Sequence, residues 1–461
     1  MERTKIKKLL DAPSPINEVL IKGWVRTKRD AKDFSFIEIN DGSCLKNIQV
    51  IASGNLSNYE KEIKKISTGS AVAVTGALVA SKGGKQKYEV EAKDVVIIDL
   101  APDTFPLQKK GHTDEYLRTI AHLRPRTNKY GAAFRIRSEM SYAIHKFFKE
   151  KEFRYVHTPI ITSSDCEGAG EMFRVTTLDL NNIPKNEGKI DFTNDFFGKE
   201  VSLTVSGQLA VEMFALSLGD VYTFGPTFRA ENSNTRRHAA EFWMIEPEMA
   251  FCDLNGDMDL AEEFIKYLAK YALEECADDL EIFANFVDKE LIERLKVIVN
   301  NDFVRITYED AMKILEEHKD KFEFPVGFGK DLQSEHEQFL TGEYFKKPVI
   351  VYNYPKEIKS FYMRLNDDNR TVAAMDVLVA GIGEIIGGSQ REERLDVLKN
   401  RMTECKLNEN DYWWYLDSRK YGSAPHAGFG LGFERLLMLV TGISNIRDVI
   451  PYPRTPNNIE F

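Results

Sequence analysis

The residues best suited to chemistry lie in the segment TFRAENSNTRRHAAEFWMIEPEM, residues 227–249. Arg229 and Glu231 are two residues apart, so their side chains share one face if the segment is a strand. After a basic loop, the return strand places four more residues on one face: Phe242, Met244, Glu246 and Glu248. Such charges would be costly to bury unpaired. The pattern favours a ligand-binding sheet over its alternative, an exposed sheet face with ion pairs.

Within the segment MDVLVAGIGEIIGGSQREER, residues 375–394, Glu384 is the one carboxylate of the apolar, glycine-rich run between Gly383 and Gly388. Glu384 needs a partner there, and a divalent cation that carries phosphates is a natural one. The neighbouring glycines allow the backbone to approach a ligand closely. The alternative is a bulged strand in which Glu384 forms a buried ion pair with Arg391.

A third segment, APHAGFGLGFERLLM at residues 424–438, runs from a glycine-rich stretch into a helix predicted to begin near Glu434 and Arg435. Free N–H groups at a helix start stabilise an anion, and Arg435 adds a fixed charge. The sequence has neither a G-x-x-x-x-G-K-[ST] phosphate loop nor a G-x-G-x-x-G between a strand and a helix. A nucleotide would therefore be held by side chains and a metal ion.

The elements that must position these groups divide the chain of 461 residues into two folded parts. Short strands separated by turns fill residues 17–100, which is the size and strand count of an OB-fold β-barrel. We predict this domain at 1–105 and a hinge at 106–130. Residues 131–461 begin with a long amphipathic helix and mix strands with helices, so we predict an α+β domain on an antiparallel sheet, with a surface insertion at 179–202.

Composition excludes several classes of protein. Charged residues make up 29% and aromatic residues 11% of the chain, which is too aromatic for a disordered protein. No apolar run is long enough to cross a membrane, and no secretory signal is visible. The five scattered cysteines form no C-x-x-C pair, so we expect no zinc site and a cytoplasmic location. The net charge is −10, but the first 35 residues hold nine basic and five acidic residues, either a solvated face or a phosphate-binding module.

Three segments together resemble a known family. FRYVHTPIIT (153–162), FRAE…RRHAAEFW and GFGLGFERL are similar to motifs one, two and three of the class II aminoacyl-tRNA synthetases. The barrel ahead of the catalytic domain is similar to that of the aspartate, asparagine and lysine subgroup. Within it, the segment 227–249, the insertion and the ending RDVIPYPRTPNNIEF resemble asparaginyl-tRNA synthetases of bacterial type. The resemblance covers essentially the whole chain.

The resemblance implies an enzyme that uses ATP and Mg²⁺ to activate L-asparagine and then transfers it to tRNA(Asn). It also implies a homodimer formed through motif one. In this family Arg229 would hold the α-phosphate, Phe242 would stack on adenine and Glu384 would bind the metal, with Asp376 a weaker candidate. Arg229, Arg435 and Glu384 would be the catalytic residues. The residues implied for ATP are Arg229, Glu231, His238, Phe242, Glu384, Gly432 and Arg435.

The same resemblance assigns two further sets of residues. The amino acid would contact Glu167, Ser206, Gln208, Glu246 and Arg391. The anticodon would be read in the barrel by Arg29, Phe36 and Gln49, with Phe36 stacked on an unpaired base as in other RNA-loop readers.

Selectivity between asparagine and aspartate is expected to depend on the segment VSGQLAVE, residues 205–212. Aspartate enzymes of the subgroup have Q-S-P-Q-L-Y-K-Q there, and their lysine aligns with Val211. Arg391 would then face the side-chain oxygen, and Glu246 would repel a carboxylate but accept from an amide. The alternative is that Val211 merely packs a helix.

Three rival functions remain from the sequence. One is an aspartyl-tRNA synthetase, of either strict or relaxed tRNA specificity. Another is an inactive paralogue that binds RNA, although such paralogues tend to lose the nucleotide arginines that this chain keeps. The last is an asparagine synthetase on the same fold, which would lack the N-terminal barrel.

Overall fold

The computed structural model describes residues 1–84, 86–108, 110–166 and 171–461. The chain folds into two compact units. The first comprises residues 1–136, 277–282 and Phe461, and the second comprises 137–276 and 283–460. This division falls at Ile136 and does not separate the chain at 105 or 130, so those two boundaries stay a prediction.

The first unit contains a closed five-stranded barrel, which confirms the predicted OB fold. A short helix α1 (Ile6–Leu10) precedes strands β1 (Ile16–Asp30), β2 (Phe34–Asn40), β3 (Ile48–Ser53), β4 (Ala71–Ala80) and β5 (Tyr88–Asp99). The strand order is β1-β2-β3-β5-β4, and only β3 and β5 pair in parallel. Alternate residues of β4 are buried, as the period of two along a half-buried strand requires. A 3₁₀ turn, Ile63–Lys65, lies between β3 and β4.

Two helices follow the barrel. Helix α2 (Asp114–Thr119) lies in the predicted hinge, and its N-cap Thr113 accepts a hydrogen bond from the Tyr116 N–H. Helix α3 (Asn128–Glu150) is the long amphipathic helix expected at 131–153. It begins in the first unit and ends in the second.

The second unit is built on an eight-stranded sheet. Its early elements are the short strands β6 (Arg154–Tyr155), β7 (Ile161–Thr162), β8 (Arg174–Val175), β9 (Lys185–Asn186), β10 (Lys189–Ile190) and β11 (Val201–Leu203), then α4 (Gln208–Leu218), β12 (Asp220–Phe228) and β13 (Glu241–Ala250). The predicted insertion at 179–202 contains the two-residue hairpin β9–β10 and the start of β11.

A helical block comes next. It consists of α5 (Leu254–Glu275), α6 (Ala277–Phe286), α7 (Leu291–Asn300), β14 (Val304–Thr307), α8 (Tyr308–Glu317), α9 (Ser334–Gln338) and a π-helical turn at Phe339–Tyr344. Residues 277–282 of α6 belong to the first unit. The remaining elements are β15 (Val349–Pro355), β16 (Thr371–Val379), β17 (Gly383–Gln390), α10 (Leu395–Glu404), α11 (Trp413–Lys420), β18 (His426–Gly432) and α12 (Phe433–Thr441).

The strand order of the large sheet is β14-β15-β16-β17-β18-β13-β12-β6. Its six central strands pair antiparallel, as predicted, and the outermost pair at each edge is parallel. Residues 360–365 form isolated bridges at Met363 and Leu365. Among the described residues, no helix combines the length and apolar character needed to cross a membrane.

Candidate active site

A cavity of about 180 Å³ in the second unit brings together the seven residues predicted to bind ATP. Its walls come from the β12–β13 hairpin, the start of β17, and the junction of β18 with α12. The predicted residues at its surface are Arg229, Glu231, His238, Phe242, Glu384, Gly432 and Arg435. Arg237 and Met244 also line it, although the sequence analysis assigned them no role.

Arg229 and Glu231 reach this cavity from a loop rather than a strand. Strand β12 ends at Phe228, so the expectation that both lie on a strand is wrong. The Arg229 N–H still donates to the Ala240 carbonyl at 3.0 Å, which extends the hairpin by one residue. The Arg229 guanidinium lies 5.3 Å from the centre of the Phe242 ring. A cation over an aromatic face is attracted to it, so the two side chains form one platform.

Arg435 and Glu384 interact with each other across the cavity. The guanidinium of Arg435 donates to the backbone carbonyl of Glu384 at 2.8 Å and lies 3.4 Å from its carboxylate. Burial would raise the pKa of the Glu384 carboxyl, but Arg435 and Lys359 hold it below its usual value. The alternative in which Glu384 pairs with Arg391 is therefore wrong.

Two other carboxyl groups lie close to Glu384. Asp376 on β16 accepts from the Lys359 ammonium with both oxygens, at 2.9 and 2.8 Å, and burial raises its pKa. Glu337 on α9 accepts from the Glu384 N–H at 3.3 Å. Burial and the repulsion from Glu384 raise the pKa of Glu337 to about 7. Sequence reasoning missed Glu337 and Lys359, because each lies far along the chain and outside the recognised motifs.

The donor set fits a magnesium ion that is bound mainly through phosphates. A Cβ placed on Gly387 would lie 3.2 Å from a Glu384 oxygen and 3.6 Å from an Asp376 oxygen, so the two carboxylates converge on one point. Mg²⁺ commonly takes one or two protein carboxylates together with phosphate oxygens and water. Within the described part of the chain, no group of three or more potential ligands forms a self-sufficient metal cage. Glu384 fits better than Asp376, whose oxygens are engaged by Lys359.

Two of the residues predicted to contact the amino acid lie next to each other. Ser206 donates to a Glu246 oxygen, and the Gly207 N–H donates to the other oxygen at 3.0 Å. Burial raises the pKa of Glu246 in spite of these hydrogen bonds. Glu246 lines a cavity between β12 and β13, and Ser206 lines a separate cavity between β7 and the start of α4.

Arg391 and Gln208 lie behind this surface, and both are buried. Arg391 binds Glu248 rather than Glu246: Nε donates to one Glu248 oxygen at 3.1 Å and Nη2 donates to the other. Its Nη1 donates to Ser389 at 2.8 Å. The expectation that Glu246 accompanies Arg391 is thus incomplete, because Arg391 forms its bidentate pair with Glu248. Both carboxylates lie on the predicted face of β13, and the sequence could not tell which one faces the arginine.

Two further expectations have different outcomes. Val211 is fully buried in an apolar cluster with Val156, Ala215 and Val221, which supports the alternative that it packs a helix. Glu167 lies outside the described residues.

In the first unit, the three residues predicted to read an anticodon lie on adjacent strands of the barrel. Arg29 on β1 pairs with Phe36 on β2, and its guanidinium lies 4.9 Å from the centre of the Phe36 ring. Phe34 packs edge-on against Phe36 at 4.9 Å. Gln49 on β3 donates to Glu89 at 2.9 Å. Phe36 is half-buried, so its ring is supported by neighbours and retains exposed surface.

Comparison with known families gives a match over both parts of the chain. Residues 113–456 match the tRNA synthetases of class II for aspartate, lysine and asparagine. Residues 19–98 match the OB-fold nucleic acid binding domain. The chain is 61% identical to the asparagine–tRNA ligase of Clostridium tetani over the full length of both proteins. The chain belongs to the asparagine–tRNA ligases of class II.

Other members of this ligase family show the same extent of similarity. The asparagine–tRNA ligase of Nitratidesulfovibrio vulgaris is 63% identical over the whole of both chains. Among solved structures, the asparaginyl-tRNA synthetase of Pyrococcus horikoshii, complexed with asparaginyl-adenylate, superimposes with a TM-score of 0.87. It is 32% identical to this ligase and covers 100% of this chain and 99% of its own.

Proposed function

We propose that the protein activates L-asparagine with ATP and transfers it to tRNA(Asn). The observation that carries this proposal is the full-length similarity to asparagine–tRNA ligases, at 61–63% identity. The cavity that gathers Arg229, Phe242, Glu384 and Arg435 gives that similarity a chemical basis in this chain. An inactive paralogue would be expected to have lost part of this set.

In the first step the α-carboxylate of asparagine attacks the α-phosphorus of ATP, and a P–O bond forms as pyrophosphate leaves. The nucleophile is already ionised, so positioning and charge stabilisation provide most of the catalysis. Arg229 would hold the α-phosphate beside the Phe242 ring, on which adenine would stack. Arg435 would cover the nucleotide from the helix side. In the second step a hydroxyl of the terminal ribose of tRNA displaces AMP from the adenylate.

Magnesium would be held by Glu384, with Asp376 as a secondary ligand. The ion would neutralise phosphate charge and orient the leaving pyrophosphate. Arg435 now pairs with Glu384, so we expect metal and nucleotide binding to loosen that pair. Glu337 helps to hold the backbone at Glu384 in place, because its carboxylate accepts a hydrogen bond from the Glu384 N–H.

The barrel would bind the anticodon loop of the tRNA, and we propose that the protein acts in the cytoplasm. Arg29 and Phe36 form an adjacent cation and aromatic ring on one face. That combination suits a stacked base and its phosphate.

We also propose a homodimer. In the second unit the aromatic rings of Tyr155, His145, Phe224 and Trp243 form a connected patch, with ring centres 5.3–5.4 Å apart from one to the next. Phe224 is buried beneath the other three rings, which reach the surface. Tyr155 is 52% and Trp243 37% exposed, which is high for large apolar side chains. Such patches commonly mark interfaces, and two-fold dimers are the commonest oligomers.

The direct test is aminoacylation of tRNA(Asn) with labelled asparagine. We expect ATP-dependent incorporation that Arg229→Ala abolishes. An RNA-binding paralogue would bind the same tRNA without charging it, and that result would refute the proposal.

A further inference from the structure

Glu212 is the centre of a buried network behind the proposed amino-acid pocket. Its side chain is fully buried on α4, and four polar groups contact it. One oxygen accepts from the Gln208 amide at 3.0 Å. The other lies within 3.0 Å of three groups on or near α11 and β18: Tyr415 Oη at 2.8 Å, Arg419 Nη2 at 2.8 Å and His426 Nε2 at 3.0 Å.

The network also includes Gln208 and Arg391, two residues that were predicted to contact the amino acid and that lie behind the cavity surface. Because Glu212 accepts from the Gln208 amide nitrogen, it fixes which way that amide faces and leaves the carbonyl oxygen directed away from Glu212. Arg391 Nε lies 3.9 Å from the same Glu212 oxygen. Glu212 therefore acts on Gln208 by orientation and on Arg391 by charge.

Each buried arginine of the network has a carboxylate partner. Arg391 and Arg419 are two buried cations, and Glu248 and Glu212 are the carboxylates that contact them. Burial would raise the pKa of Glu212, but Arg419, His426 and Arg391 hold it below its usual value. Burial and neighbouring carboxylates push the pKa of Glu248 upward. Both its oxygens nevertheless accept from Arg391, which is the geometry of an ionised carboxylate.

Two other buried acidic groups near the network, Glu246 and Asp257, supply no cation that could pair with a substrate carboxylate. Burial raises the pKa of Glu246, and it raises that of Asp257 well above the usual value. A pocket whose arginines are already paired with carboxylates favours the neutral side-chain amide of asparagine. The side-chain carboxylate of aspartate would be buried there without a matching cation.

We propose that Glu212 is a positioning residue that makes the pocket selective for a side-chain amide over a carboxylate, by orienting Gln208 and cancelling one buried positive charge. The inference rests on the proposed function. It goes beyond that function by assigning selectivity to a residue that need not touch the substrate.

The test compares asparagine and aspartate in ATP–pyrophosphate exchange for the wild type and Glu212→Gln. Removing the charge leaves one arginine unbalanced. The ratio of kcat/KM for asparagine to that for aspartate should then fall at least tenfold. The KM for asparagine should rise more than kcat falls, and the KM for ATP should stay within twofold. A merely structural role would lower all activities together.

Two further variants separate charge from packing. Glu212→Asp keeps the charge and should retain more of the selectivity than Glu212→Gln. The double variant Glu212→Gln/Arg419→Gln removes one charge of each sign and should recover part of the ratio. Glu392→Gln is the matched control, since Glu392 is also fully buried and paired with an arginine, Arg394, but contacts neither Gln208 nor Arg391 through its carboxylate. Its selectivity should equal that of the wild type.

The outcomes are distinct. An unchanged ratio in Glu212→Gln overturns the inference, and so does an equal loss in Glu212→Asp. If Glu212→Gln does not fold, the Glu212→Asp and double-variant ratios decide in the same way. A wild type that does not activate asparagine instead refutes the proposed function.

Discussion

At the scale of single residues, Glu384 and Asp376 lie close together but differ in their availability to a metal ion. Both oxygens of Asp376 are engaged by Lys359, whereas Glu384 lies at the cavity surface beside Arg435. A carboxylate held by an ammonium ion has less charge to offer a cation. The two side chains should therefore contribute unequally to magnesium binding.

We predict that Glu384→Gln raises the magnesium concentration needed for half-maximal exchange roughly tenfold or more, a loss of about 1.4 kcal/mol or more. Asp376→Asn should change it less. A magnesium titration of the exchange rate at saturating ATP measures both. The assignment fails if Asp376→Asn has the larger effect.

Val211 shows that alignment with a charged residue does not place a side chain in a pocket. Val211→Lys would put an ammonium group into the cluster formed with Val156, Ala215 and Val221. We therefore predict a loss of folding free energy of about 3 kcal/mol or more. Urea unfolding measures it, with Val211→Ile as the control for added volume. A stable Val211→Lys variant with reduced preference for asparagine would contradict this prediction and would indicate that Val211 lines the amino-acid pocket.

At the scale of elements, the sequence predicts more of the ATP site than of the amino-acid site. The residues proposed for ATP follow recognisable motifs on neighbouring strands of the sheet, so seven of them converge even though β12 ends before Arg229. Contacts such as Arg391 with Glu248 and Glu212 join β17 to β13 and α4. No local pattern encodes which of several carboxylates faces an arginine across a sheet.

Barrel strand β2 carries the prediction for tRNA recognition. Phe36→Ala should weaken tRNA(Asn) binding by about 1–3 kcal/mol through lost stacking. It should leave tRNA-independent exchange almost unchanged, because Phe36 lies in the first unit and the ATP cavity in the second. Filter binding and exchange measure the two effects. Val96→Ala, which trims an exposed apolar side chain on β5, is the control.

A collapse of exchange in Phe36→Ala would mean that the barrel is not a separate recognition module. Equal weakening of tRNA binding by Val96→Ala would mean that the effect of Phe36 is not specific to its face of the barrel.

At the scale of the whole molecule, the aromatic patch on the second unit predicts a dimer. Light scattering at micromolar concentration should give twice the chain mass of 52.7 kDa. Trp243→Glu should shift that mass toward one chain, because a charge would be buried in the interface. A wild type that shows only the single-chain mass would refute the dimer.

The central claim is that the pocket prefers a side-chain amide to a carboxylate. ATP–pyrophosphate exchange with asparagine and aspartate side by side tests it most directly. Neutralised arginines and an oriented Gln208 should give a kcat/KM for asparagine that exceeds that for aspartate by several powers of ten, because the wrong isostere leaves buried groups unmatched. Exchange that runs equally well with aspartate would contradict the account.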